Sequence, residues 1–127
     1  MPSTPVTESV VRLGVNDALP VSEEATTSRV LVNNPLLRTV VFTFDAGQLL
    51  TEHASPKAVV VTLLDGQMDF SLDGATHPMV AGDVIYMRPG QRHALVSVTP
   101  CRMQLVMVEV PEIPTDPENP MDPAAQA

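Results

Sequence analysis

The sequence predicts an all-β protein, built as a sandwich or a barrel of short strands. Several short segments alternate apolar and polar residues or are rich in β-branched residues. Glycine, aspartate and proline separate these segments, and no segment has the 3.6-residue periodicity of an amphipathic helix. With 127 residues, 44% of them hydrophobic, the chain has the size and composition of one domain with its own core.

We predict seven strands, and two of them show most clearly why. Residues 68–73 alternate apolar and polar side chains at every position, as a strand does when one face lies on a core. Residues 58–64 are almost continuously apolar and rich in valine, which indicates a strand buried on both faces. In chain order the predicted strands are 28–32, 39–44, 58–64, 68–73, 84–87, 94–98 and 103–110.

Two Asp-Gly pairs predict hairpin turns between these strands. They are Asp65-Gly66 and Asp73-Gly74, where glycine can adopt the positive φ that tight hairpins need. Residues 22–25 predict one short turn before the first strand.

The same alternation predicts which side chains form the core. We expect Asp69, Ser71 and Asp73 to face solvent because they occupy the polar positions of an alternating strand. The expected core residues are Phe42, Phe44, Val61, Leu63, Met68, Phe70, Leu72, Ile85, Met87, Val96 and Leu105.

Charge and composition exclude several classes of partner. The net charge is −8, from seven basic and fifteen acidic residues, so we expect no binding to nucleic acid. No apolar run is long enough to cross a bilayer, so we expect no membrane partner. The N-terminus lacks the features of a signal peptide, and Cys101 is the one cysteine, so we expect a cytoplasmic location.

Three regions divide the chain. Residues 1–27 are expected to form an N-terminal arm and the first strand or strands, and residues 28–110 the barrel. Residues 111–127 form a proline-rich acidic tail in which proline recurs at every third position from 111 to 123, the period of a polyproline II helix. Such a tail is either solvated and extended, or its proline edge lies along the barrel or a partner subunit.

Two glycine-containing motifs each carry one histidine between apolar strands. The first contains Gly47, His53 and Gly66, and the second contains Gly82, Pro89, Gly90 and His93. Over about residues 45–97 this arrangement resembles the two-motif signature of the cupin superfamily, in particular its small single-domain type 2 or RmlC-like jelly-roll members. The resemblance implies a single double-stranded β-helix barrel, a homodimer, and a metal site shared by both motifs.

The metal site implied by the resemblance is incomplete in this sequence. His53 and His93 match two ligand positions, but Ser55 stands where the family has a second histidine and Val59 where it has a glutamate. Two imidazoles alone satisfy neither a facial-triad iron site nor a catalytic zinc site. We therefore expect at most a weakly bound divalent metal (Zn, Fe, Ni or Mn).

Three roles for His53 and His93 stay open at this point. The pair is either hydrogen-bonded structure, a weak metal site completed by water, or a metal-free pair that binds a ligand or moves protons. His77 lies outside both motifs, and we expect it to be structural or on the surface.

Soft apolar side chains and basic residues suggest the kind of ligand. Strand parity places several methionines with Ile85 and Leu105, where they either line a deformable pocket or simply fill the core. Arg88, Arg92 and Lys57 lie within the motifs; they either favour an anionic molecule or are solvated surface residues. The predicted pocket residues are His53, Ser55, Met87, Arg88, His93, Met103, Leu105 and Met107.

The sequence thus predicts a protein that binds a small molecule, with an anion as one candidate, in a barrel pocket centred on two histidines. One alternative is a metal-dependent enzyme (dioxygenase, isomerase or lyase) with a reduced ligand set. Another is a sensor or an interaction scaffold. A third polar ligand beside the histidines would favour the enzyme, whereas a dry apolar pocket would favour binding.

Overall fold

Nine antiparallel strands and one short helix make up the part of the chain that the structure describes. A computed structural model describes residues 3–110. The helix is α1 (Val15–Ala18), and the strands are β1 (Thr26–Asn33), β2 (Leu37–Phe44), β3 (Leu49–His53), β4 (Ala58–Asp65), β5 (Gln67–Leu72), β6 (Ala75–Val80), β7 (Val84–Met87), β8 (His93–Ser97) and β9 (Cys101–Val108). The all-β prediction is confirmed.

The strands form two sheets that face each other. One sheet has the order β1-β2-β9-β4-β7 and the other the order β3-β8-β5-β6. Consecutive strands such as β4 and β5 lie in different sheets, so the chain passes repeatedly from one layer to the other. This is the predicted double-stranded β-helix, or jelly roll.

The core lies between the two sheets, close to where the sequence predicts it. Six of the expected core residues are buried: Phe44, Val61, Leu63, Met68, Phe70 and Met87. Four more are partly buried and pack against that cluster: Phe42, Leu72, Ile85 and Leu105. Asp69 and Ser71 are partly exposed and Asp73 is exposed, so β5 has the predicted orientation.

Val96 is the one expected core residue that the structure places outside. It is 43% exposed, whereas its neighbours Leu95 and Ser97 are buried. The prediction was wrong because β8 carries apolar residues on both faces, and its inward face also includes His93. Hydrophobicity alone therefore did not distinguish the two faces of this strand.

Asp73-Gly74 forms the predicted hairpin turn. The two residues have φ values of 48° and 82° and join the paired strands β5 and β6. Positive φ at both central residues matches the twist of the flanking strands.

The hairpin predicted at Asp65-Gly66 is wrong. The turn joins β4 to β5, which belong to different sheets, so it is a corner between the layers. Gly66 has φ 89°, and a Cβ there would lie 2.2 Å from the carbonyl oxygen of Pro100. The glycine is needed for this close approach, and its presence does not reveal which strands the turn connects.

The N-terminal arm covers part of the five-stranded sheet. The buried Arg102 side chain on β9 donates hydrogen bonds from Nη2 to the carbonyl oxygens of Asn16 and Leu19. These bonds attach the segment around α1 to the outer face of the sheet. The short turn predicted at residues 22–25 is present, with a bond from the Ala25 N–H to the Ser22 carbonyl at 3.2 Å.

The remaining regional predictions concern the ends of the chain. Strand β1 begins at Thr26, two residues before the predicted start of the barrel. The prediction for the proline-rich tail, residues 111–127, lies outside the described residues. Between residues 3 and 110 there is no helix with the length and hydropathy needed to span a membrane.

Candidate functional site

Strands β3 and β8 bring the two motif histidines together. His53 and His93 are direct partners in this antiparallel pair, so their side chains share one face of the sheet. Their ring centroids lie 4.2 Å apart, with the ring planes tilted by 56°. The two histidines therefore converge, as a site shared by both motifs requires.

Backbone carbonyls determine which nitrogen each ring presents. His53 Nδ1 lies 2.8 Å from the carbonyl oxygen of Thr51, and His93 Nδ1 lies 2.9 Å from that of Gln91. Because a carbonyl oxygen can only accept, each Nδ1 carries the proton, and in the neutral ring Nε2 keeps a free lone pair. The same kind of anchoring orients histidines that bind metals in proteins.

The two histidines differ in their surroundings. His93 is 8% exposed and stacks on Phe70, with centroids 5.9 Å apart and planes 4° from parallel. Burial lowers the pKa of His93, nearby His53 lowers it further, and the Gln91 carbonyl opposes both. His93 is consequently neutral at pH 7, and the exposed His53 lies beside it on the edge strand β3.

The two positions that depart from the family pattern supply no metal ligand. The Ser55 hydroxyl oxygen accepts a bond from the Lys57 N–H at 3.2 Å, and its carbonyl accepts one from the Gly90 N–H at 2.7 Å, which ties the first motif to the second. Val59 is buried on β4 within the core. Within residues 3–110, no group of three His, Cys, Asp or Glu side chains is placed to hold a metal ion.

The apolar residues predicted for the pocket point inward. Met87 and Met103 are buried in the core, and Leu105 and Met107 are partly buried against it. Strand parity therefore placed all four on the correct face. Their contact with a ligand stays a prediction.

Two of the three basic residues in the motifs are already paired with carboxylates. Lys57 Nζ lies 2.8 Å from Glu109 Oε1, and Arg92 Nη2 lies 2.7 Å from Glu52 Oε1. Arg88 is exposed and, among the described residues, makes no such pair. The free positive charge around the motifs is therefore smaller than the sequence suggested.

Sequence reasoning missed the residues that support the histidines. Phe70 was expected only as a core residue, and the carbonyls of Thr51 and Gln91 carry no signal in residue type. Phe70 could have been found from strand register, since Leu72 on β5 pairs with His93 and Phe70 lies two residues away on the same face. His77 is exposed on the edge strand β6, at the surface as expected.

Comparison with known proteins identifies the family. The family model described as "Cupin domain" matches residues 40–109. A conserved protein of unknown function from Streptococcus pyogenes is 30% identical, with a TM-score of 0.74, and the match covers 88% of this chain and 98% of that one. The chain belongs to the cupin family. None of the curated proteins that were searched matches the chain.

Two further solved structures share the fold at lower identity. A cupin superfamily protein from Desulfitobacterium hafniense is 16% identical with a TM-score of 0.72, covering 81% of this chain and 94% of that one. An RmlC-like cupin from Shewanella frigidimarina is 21% identical with a TM-score of 0.65, covering 84% and 87%. At these identities the similarity shows the fold alone.

Proposed function

We propose that this cupin binds a small molecule at the pair formed by His53 and His93. The observation that carries the proposal is the anchoring of both rings through Nδ1, which leaves two adjacent Nε2 lone pairs on one face of the sheet. Here the exposed His53 is oriented in the same way as the buried His93.

A divalent metal at this pair would be weakly held. Zn, Fe, Ni or Mn could take the two Nε2 atoms as ligands, since neutral imidazole is a common ligand for these ions. Water or the small molecule would have to complete the coordination, because residues 3–110 bring no third side-chain ligand to a shared site. A bound ion would supply a Lewis acid for an oxygen atom of the small molecule. The missing third ligand favours binding over metal-dependent catalysis.

The proposed ligand has an apolar remainder and one polar group, which either donates a hydrogen bond to Nε2 or, if it is anionic, reaches the histidines through a bound metal ion. The polar group would meet the histidines, and the apolar part would lie against soft side chains such as Met107 and Leu105, which are partly buried at the core. A strongly anionic ligand is disfavoured because Lys57 and Arg92 are already paired with carboxylates.

Imidazole NMR tests the proposal directly. Zn²⁺ is first added to the ¹⁵N-labelled protein. Butanoate, hexanoate and octanoate are then added to separate portions of the zinc-loaded sample, with succinate as the polar dianion control. We expect the Nε2 signals of His53 and His93 to shift with Zn²⁺ and with the longer monocarboxylates, while His77 stays unchanged. His→Asn substitutions remove Nε2 but keep a donor near the Nδ1 position.

The three Asn variants provide matched controls. His53→Asn and His93→Asn should each weaken Zn²⁺ binding by about ten-fold or more, a loss of about 1.4 kcal/mol, and His77→Asn should not. The proposal would be wrong if neither probe shifts His53 and His93, or if His77→Asn has the same effect as the other two.

A further inference from the structure

Three of the seven basic residues lie on strands, and all three belong to the five-stranded sheet. Arg29 on β1 pairs with Val41 on β2. Arg102 on β9 pairs with Thr43 on the same strand β2. Successive side chains of a strand alternate between faces, and Phe42, which lies between these two partners, packs against the core. Arg29 and Arg102 are therefore on the outer face of the sheet.

Arg38 on β2 is the third of these residues, and its register places it on the inner face. It pairs with Met107 on β9, which pairs in turn with Val59 on β4. Directly opposite residues share one face of a sheet, and Val59 is buried in the core. Arg38 is also four residues from Phe42 on the same strand, which gives the same face. The Arg38 side chain therefore leaves the sheet on the side of the other layer.

The chain connections place Arg38 and the histidine pair at the same end of the barrel. Strands β2 and β3 lie in different sheets and are joined by residues 45–48 alone. Arg38 is near the far end of β2 from this connection, and His53 is at the far end of β3. His93 is the cross-strand partner of His53, so it is at that end too. Because packed sheets are about 10 Å apart, the arginine and the histidines face one space from opposite layers.

The guanidinium of Arg38 has donors available in this space. Arg38 is exposed, and among residues 3–110 its side chain makes neither an ion pair nor a hydrogen bond. By contrast, Lys57 and Arg92 are each paired with a glutamate, and Arg88 donates to a neighbouring backbone carbonyl. A guanidinium matches the two oxygens of a carboxylate with parallel N–H donors. The partly buried Met107 beside it offers apolar surface to the rest of a bound molecule.

We propose that Arg38 binds the carboxylate of a small hydroxycarboxylate whose hydroxyl group meets the histidine pair. This inference rests on the proposed function and adds a second polar group to its ligand. The carboxylate accepts hydrogen bonds from Arg38, whereas the hydroxyl donates to an Nε2 lone pair of His53 or His93. The carbon chain between them lies against Met107 and Leu105. One arginine matches one carboxylate, so the ligand is a monoanion and its binding needs no metal ion.

The position of Arg38 has the opposite consequence for a metal ion. A guanidinium that faces the histidines repels a divalent cation bound between them. Replacing Arg38 by glutamine should therefore weaken the binding of a carboxylate and leave Zn²⁺ binding at least as tight as in the wild type. A variant that had lost its fold would bind both more weakly, so the two titrations together distinguish a lost contact from lost structure.

Titration of the metal-free protein in the presence of a chelator tests the carboxylate contact. The probes are hexanoate, 6-hydroxyhexanoate and the neutral hexanamide, and binding is followed through the methyl signal of Met107. We expect Arg38→Gln to weaken both carboxylates by at least about ten-fold and to leave hexanamide unchanged. The matched control is Arg29→Gln, which removes an exposed arginine from the outer face of the neighbouring strand and should change nothing.

The histidine variants separate this inference from the proposed function. His53→Asn or His93→Asn, whichever removes the accepting Nε2, should reduce the affinity for 6-hydroxyhexanoate to that for hexanoate. Neither variant should change the affinity for hexanoate itself. A loss of carboxylate binding in Arg38→Gln with no effect of either histidine variant would support the carboxylate site and overturn the contact with the histidines.

Four results would overturn the role of Arg38. They are a metal-free wild type that binds neither carboxylate, equal carboxylate affinities of Arg38→Gln and the wild type, an equal loss in Arg29→Gln, or hexanamide binding as tight as that of hexanoate. If Zn²⁺ still shifts the imidazole signals of His53 and His93 in that case, the histidine site stands without Arg38.

Discussion

His53 and His93 lie opposite each other on neighbouring strands, yet only one of them belongs to the core. His93 is on β8, between β3 and β5, where it is buried and stacked on Phe70. His53 is on β3, the edge of the same sheet, and is exposed. The strand order produces this difference, because a central strand is covered on both sides and an edge strand on one.

The difference separates two roles that a histidine pair can have. His93 contributes to packing as well as to the proposed site, so its loss should affect both stability and binding. His53 contributes little burial, so its loss should affect binding alone. Variants at the two positions can therefore distinguish a site from a structural contact.

Phe70→Ala should lower stability more than any other change considered in this comparison. It also eliminates the packing that distinguishes His93 from His53. Phe70 is 1% exposed, so Phe70→Ala should lower the free energy of unfolding by about 3–5 kcal/mol. The pKa of His93 should also rise towards its ordinary value as burial is lost. Urea denaturation and an NMR titration of the imidazoles measure the two effects.

The neighbouring Ser71 is the control for this strand. It lies on the opposite face of β5 and is partly exposed, so Ser71→Ala should change the free energy of unfolding by less than about 0.5 kcal/mol. A greater loss of stability in Ser71→Ala than in Phe70→Ala would contradict the orientation of β5.

Alanine at each histidine is the direct test of the comparison. His93→Ala should cost about 2 kcal/mol, because it leaves a space beside Phe70 and removes the bond to the Gln91 carbonyl. His53→Ala should cost less than about 0.5 kcal/mol because the side chain is exposed. Denaturant melts in the presence of a chelator give both values. Equal losses of unfolding free energy in the two variants would mean that the buried His93 and the exposed His53 contribute equally to stability, which would contradict the comparison.

The fold was largely predictable because most strands have a local signal. The alternation of β5 and the valine-rich run of β4 gave their positions within one residue. Strands β3 and β6 were missed, since β3 is a short exposed strand with no alternation and β6 contains proline at an edge. The corner at Gly66 was misassigned because a glycine turn has the same local sequence in a hairpin and between sheets.

The sequence predicted which residues form the site, but it did not predict their burial or their contacts. The motif spacing identified His53 and His93, and the structure brings them together. Whether each histidine is buried depends on the strand order, which is set by contacts between residues far apart in the chain. The ion pair between Arg92 and Glu52 also crosses from one motif to the other, so neither motif alone predicts it.

Restoring a ligand that the family has should raise the affinity of the histidine pair for a metal ion. A rise would show that the pair acts as a binding site and not only as a structural contact. Ser55→His adds a third imidazole at the position where the family has one, and we expect Zn²⁺ affinity to rise by at least about ten-fold, or about 1.4 kcal/mol. Adding Val59→Glu should raise it further, although a carboxylate at a position that is 3% exposed will cost stability.

Calorimetric titration with Zn²⁺ measures both variants, and Ser71→His is the matched control because it adds an imidazole on the far side of β5. Stoichiometric zinc that survives dialysis against a chelator in the unmodified protein would show that the protein supplies a further ligand beside the two histidines. No gain from Ser55→His would show that residue 55 does not face the histidine pair.

Acidification should produce the smallest effect, and it should act through His93. Burial lowers the pKa of His93 in the folded protein, so the unfolded chain, with an ordinary histidine pKa of about 6.5, binds the proton more readily. The stability from the neutral buried ring is complete above about pH 6.5 and decreases as the pH falls through that value. The decrease is small because the Gln91 carbonyl partly offsets burial.

Urea melts with chelator between about pH 5.5 and 8 should show this slope in the wild type and in His53→Asn, and a reduced slope in His93→Asn. A slope that disappears in His53→Asn and persists in His93→Asn would reverse the assignment of the buried histidine.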